Sequence, residues 1–175
     1  LFVTLSLSAC GKTERKHPAP ANADTIAAPA EKAAVEVGKV LQSSDGKFAY
    51  YLPKSYTHAK PAALIVFFDS HARGKDPLEK YALLADQFET ILVGSNVSRN
   101  GQQFPQSQQI YDEIMRSVRQ LFAINEKRIA VAGFSGGARV AAGVAQTRPE
   151  IMGVLGCAAG FQPRMGDAFN YLGFV

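Results

Sequence analysis

Apolar residues between positions 37 and 158 follow two rhythms. Four short runs are almost continuously apolar: Ala63–Phe68 (ALIVFF), Thr90–Gly94 (TILVG), Arg128–Ala132 (RIAVA) and Ile151–Ala158 (IMGVLGCA). Runs of that length without alternation predict strands buried on both faces. Earlier, Val37–Gln42 and Lys47–Leu52 flank Ser43-Ser44-Asp45-Gly46, a turn sequence, and predict an antiparallel hairpin. Between the runs the spacing becomes helical. Asp76-Pro77-Leu78-Glu79 reads as an N-cap, a first-turn proline and a capping-box glutamate, with Tyr81, Leu84, Ala85 and Phe88 on one face behind them. Ser107 reads as the cap of a second helix, in which Ile110, Ile114, Val118 and Phe122 form an i,i+4 stripe flanked by Tyr111, Met115 and Leu121. A third, Ala138–Gln146, is rich in small residues. A hairpin followed by alternating strands and helices predicts an α/β fold: a mainly parallel central sheet with helices on both faces. Functional groups in such sheets collect at the carboxyl ends of the strands.

Residues 1–9 have a different character. They are apolar or small, too few to span a bilayer, and end at Cys10-Gly11. Leu7-Ser8-Ala9-Cys10 resembles the bacterial lipobox, in which the cysteine is acylated and becomes the mature N-terminus. This predicts a signal-peptide remnant over 1–9, with neither an initiator Met nor a basic n-region, so that the chain reads as a fragment at this end. Residues 10–36, with Pro18, Pro20 and Pro29 among alanines and charges, predict a lipid-anchored tether, and residues 37–175 a folded domain. An anchor at Cys10 implies the bacterial cell envelope, and Gly11 after it points to the outer membrane of a diderm.

Composition removes other classes. The chain has 175 residues, of which 47% are hydrophobic, ample for one buried core. A net charge of +4 is too small to argue for nucleic acid, and several of the cations crowd near the N-terminus. Two cysteines, Cys10 and Cys157, make neither a disulfide framework nor a zinc site. With no metal-ligand cluster and no dinucleotide fingerprint, no metal and no cofactor are expected.

One motif carries chemistry. Gly133-Phe134-Ser135-Gly136-Gly137 follows the RIAVA strand and precedes the small-residue helix, a G-x-S-x-G in a strand–turn–helix setting. A serine on so tight a turn needs glycines where side chains would strike the neighbouring strand or helix. The turn lifts the hydroxyl above the sheet and aims a helix N-terminus at it, where unpaired N–H groups favour developing negative charge.

With its hairpin ending in Tyr51-Leu52-Pro53, its strand and loop LIVFFDSHARG and its elbow GFSGGAR, the region from Val37 to Val175 resembles the α/β-hydrolase superfamily. It is most similar to secreted esterases of the polyhydroxybutyrate-depolymerase and feruloyl-esterase type. The resemblance implies a serine esterase with Ser135 as nucleophile and a small-molecule or polymeric ester as substrate. It implies an oxyanion hole using the N–H of Gly136, with a second donor from the loop Asp69–Gly74, where Ser70 and His71 both qualify. It also implies an acid and a histidine after the nucleophile. Asp167 is a candidate acid, but His17, His58 and His71 all precede Ser135. The implied reading is that the chain, ending at Tyr171–Val175 as if inside a strand, is truncated before its base. His71 is then a loop histidine, Asp69 a residue that fixes loop backbone, and Cys157 a core residue. Asn96, Ser98, Arg99, Asn100 and Gly101 form a polar loop at another strand end, either a cleft lining or a plain turn. The competing functions are a noncatalytic envelope lipoprotein that uses the fold as a binding platform, and a peptidase of the same superfamily.

Overall fold

The computed structural model describes residues 35–159. Cys10, the tether, Asp167 and Tyr171–Val175 lie outside the described residues. The element order is β1 (Val40–Gln42), β2 (Phe48–Tyr51), β3 (Ala62–Phe68), α1 (Lys75–Gln87), β4 (Thr90–Ser95), α2 (Phe104–Leu121), β5 (Ile124–Phe134), α3 (Gly136–Ala145) and β6 (Ile151–Cys157). The expected α/β architecture is present. The six strands form one sheet in the order β1-β2-β4-β3-β5-β6. β1 pairs antiparallel with β2, and β2 with β4, whereas β3 runs parallel to both β4 and β5, and β5 to β6. In the hairpin turn, Asp45 accepts bonds from the Ser43 hydroxyl at 2.7 Å and the Lys47 N–H at 3.0 Å, while Gly46 takes a φ of 70°.

Strand alternation sorts the apolar side chains onto two faces. One face joins Phe48, Leu64, Val66, Phe68, Ile91, Val93, Ile129 and Val131 to Tyr111, Ile114, Met115 and Val118 of α2 and to Ala141 and Val144 of α3. The other face packs Ala49, Tyr51 and Leu92 against Leu78 and Ala85 of α1. Fully burying one aliphatic side chain of this kind contributes about 1.5–3 kcal/mol.

The starts of α1 and α2 differ from their sequence reading. α1 is capped by Gly74, and Asp76 sits inside its first turn with no side-chain cap bond. The cause is a close backbone crossing: a Cβ on Gly74 would overlap the Gly94 carbonyl, and one on Gly94 the Gly74 carbonyl, so the chain must enter the helix at a glycine. The buried face of α1 is also rotated: Leu78 and Ala85 are buried, whereas Leu84 and Phe88 are 48% and 61% exposed. α2 starts before Ser107, with Gln103 as cap, Pro105 in the first turn, and Gln106 Oε1 accepting the Gln103 N–H at 2.9 Å. Ser107 is therefore buried within the helix. Ile114, Val118 and Phe122 are buried as the stripe requires, but Leu121 is exposed.

Candidate active site

The parallel strands β3, β4, β5 and β6 send their carboxyl ends to the same side of the sheet. Of the four described non-glycine residues with positive φ, three lie there: Ala72 after β3, Ser135 after β5 and Ala158 after β6. Backbone strain of this kind collects at functional sites.

Ser135 has φ 53° and ψ −120° and stands between β5 and α3. The turn is held from both sides. The Ser135 N–H donates to the Cys157 carbonyl at 2.8 Å, and the Ser135 carbonyl accepts from the Ala138 N–H at 3.0 Å. A Cβ on Gly133 would overlap the Gly137 carbonyl, and one on Gly137 would overlap the Phe68 carbonyl and come 3.0 Å from the Asp69 N. The elbow is thus wedged against β3 as tightly as backbone atoms allow. Gly136 opens α3, whose first N–H groups have no intrahelical partner.

The loop after β3 lies beside this turn. Ser70 is buried, and its Cβ is 3.3 Å from where a side chain on Gly136 would begin. Asp69 organises the loop: its Oδ1 accepts the His71 N–H at 2.8 Å, the Arg73 N–H at 3.3 Å and Arg73 Nε at 3.0 Å, and its Oδ2 pairs with Arg73 Nη2 at 2.9 Å. Burial alone would raise the Asp69 pKa, but the bonds from the Arg73 side chain and from the His71 and Arg73 N–H groups outweigh it and hold the carboxyl below its ordinary value.

His71 is paired with Arg99 in a short antiparallel bridge, and the Asn100 N–H donates to the Ser70 carbonyl at 3.0 Å. Ser70 and Asn100, opposite each other beside this bridge, both lie against Gly136. His71 Nδ1 lies 2.9 Å from Ser70 Oγ, and among the described residues no histidine bonds to the Ser135 hydroxyl. The other described histidine, His58, contacts the Tyr56 hydroxyl at 3.1 Å in the segment between β2 and β3.

The structure thus brings Ser135, Gly136 and Ser70 together, joins the His71 ring to Ser70 Oγ, and adds Asn100, which the sequence offers only as one member of a polar loop. Its contact with Gly136 depends on how two loops pair, which no local spacing reports. Cys157 is half-buried in β6 and contributes its carbonyl to the elbow.

No protein-family model and no curated protein matches the sequence. Solved structures do. The chain is similar to the fluorophosphonate-binding serine hydrolase FphF of Staphylococcus aureus, at 18% identity and a TM-score of 0.51 over 68% of this chain and 55% of that one. It is similar to a CE1 ferulic acid esterase of Anaeromyces mucronatus in complex with ferulic acid, at 19% identity and a TM-score of 0.51 over 76% and 61%. It is also similar to an acetyl xylan esterase of Aspergillus awamori, at 18% identity and a TM-score of 0.50 over 70% and 52%. Strand order, elbow and these neighbours together define the fold as that of the α/β hydrolases. The chain spans 52% to 61% of the length of these three structures.

Proposed function

We propose that the protein is a serine hydrolase that cleaves a carboxylic ester through an acyl-enzyme on Ser135. The observation that carries this reading is the Ser135 backbone, φ 53° and ψ −120°, held between β5 and the N-terminus of α3. A strained turn of this kind that presents a half-buried serine at the strand ends has a chemical use and no packing use. The neighbours that are esterases, one of them holding ferulic acid, support an ester of a small molecule or of a polymer as substrate.

In the proposed reaction Ser135 Oγ attacks the ester carbonyl carbon as its proton passes to a general base. The carbonyl oxygen becomes an oxyanion held by the N–H of Gly136 and that of Ser70. Ser70 is preferred over His71 because the His71 N–H already serves the Asp69 carboxylate. Collapse of the intermediate expels the alcohol with the base's proton, and water then releases the acid by the same steps in reverse roles. The base and the acid are assigned outside residues 35–159, with Asp167 a candidate for the acid. The reading also includes acylation at Cys10 and a place at the bacterial envelope membrane.

The natural full-length protein should react with a fluorophosphonate, and peptide mass analysis should place the adduct on Ser135. Ser135→Ala should abolish both the adduct and hydrolysis of p-nitrophenyl acetate, a loss on the order of 10⁶ in turnover. A folded protein that ignores the probe would leave the binding-platform reading in its place.

A further inference from the structure

Asn100 stands at the lip of the candidate site. Its N–H is fixed to the Ser70 carbonyl, and its side chain lies over Gly136: a Cβ there would overlap Asn100 Oδ1 and come 3.0 Å from its Cγ. The Asn100 carboxamide thus occupies the space that a side chain on Gly136 would take. Other polar groups of the same loop are consumed within the protein. Ser95 Oγ accepts the N–H groups of Val97 and Ser98, Gln102 bonds the Val97 carbonyl and the Arg99 N–H, and Asn96 Nδ2 bonds the Gly46 carbonyl. Asn100 is exposed, and among the described residues neither donor of its carboxamide has a hydrogen-bond partner. A braced loop therefore delivers one uncommitted amide to the atom group where negative charge develops in acyl transfer. A half-turn about χ2, a soft torsion in asparagine, brings Nδ2 to the place that Oδ1 holds.

We propose that Asn100 is a further oxyanion donor, its Nδ2–H bonding the substrate carbonyl oxygen beside the N–H groups of Gly136 and Ser70. The proposal rests on the serine-hydrolase reading. A donor aimed at the oxyanion acts in the transition state more than in the ground state, so its loss falls on kcat.

The test uses the natural full-length protein and p-nitrophenyl acetate. Asn100→Ala should lower kcat about 100-fold with KM little changed. Asn100→Asp keeps the shape of the side chain but sets a carboxylate against the oxyanion, and should fall further still. Neither variant should lower the thermal midpoint, because the side chain makes no hydrogen bond to a described residue. Gly136→Ala should push the carboxamide aside, and combining it with Asn100→Ala should cost less than the two losses multiplied. A side chain that only fills space would leave Asn100→Asp at wild-type kcat. That result, or a rise in KM with kcat unchanged, overturns the proposal while fluorophosphonate labelling of Ser135 keeps the hydrolase reading intact. Wild-type protein that neither labels at Ser135 nor turns over ester removes the reading itself, and the oxyanion role with it.

Discussion

A serine at φ 53° and ψ −120° is costly, because a side chain in that region of conformational space is strained by about 1–3 kcal/mol. The cost is tolerated where it places a hydroxyl. Ser135→Gly should therefore stabilise the fold by about 1 kcal/mol relative to Ser135→Ala, which keeps the strain, while both variants lose hydrolysis. Urea unfolding of the two variants measures the difference; equal midpoints would mean that the turn stores nothing. Ser135 and its glycines are legible in the sequence because the elbow is local: strand, glycine, serine, glycine and helix follow one another along the chain. Asn100 is not legible, because its place over Gly136 is set by the bridge between His71 and Arg99. Nothing within either loop announces that pairing.

The strands and helices themselves were readable from apolar rhythm, whereas their starts were not. Asp76 and Ser107 have the chemistry of caps, yet Gly74 and Gln103 hold those positions. A glycine crossing decides the first, and a proline with a reaching glutamine the second, both outside what cap preference alone predicts. The far end of α1 is tied down by another long-range contact. Asp86 Oδ1 accepts the Tyr51 hydroxyl and the Lys54 N–H, each at 2.9 Å, and Oδ2 pairs with Lys54 Nζ at 3.3 Å. Burial first, and then the bond to Asp86, pushes the Tyr51 phenol up to about 12. A phenol whose folded pKa is raised contributes stability that is whole below its unfolded value near 10 and is lost as pH rises toward 12. Tyr51→Phe should cost about 1 kcal/mol at neutral pH. It should also flatten the fall in stability between pH 10 and 12, seen as a smaller drop in the urea midpoint across that window. An unchanged slope would show that Tyr51 stays neutral for another reason or that other groups dominate there.

At the scale of the molecule, the strand order explains how groups remote in sequence meet. Placing β3 between β4 and β5 sets three loop segments around one point, those containing Ser70, Asn100 and Ser135. Alternation along the chain implied a parallel sheet, but it does not state which strands are neighbours; packing of the whole domain decides that. The same order separates the start of the described domain from its chemistry. β1 forms one edge of the sheet and β5 lies four strands across, roughly 19 Å away at about 4.8 Å per strand. A chain entering at β1 therefore meets the sheet four strands from Ser135, and acylation proposed at Cys10 is expected to leave the chemistry of Ser135 unchanged. In a bacterial host, Cys10→Ala should lose incorporation of a fatty-acid probe and move the protein from the membrane to the soluble fraction. Its rate of ester hydrolysis in detergent extracts should equal that of the wild type. Equal labelling of the variant would remove the lipid anchor, and lost hydrolysis in a folded, soluble variant would show that acylation at Cys10 and the site are coupled.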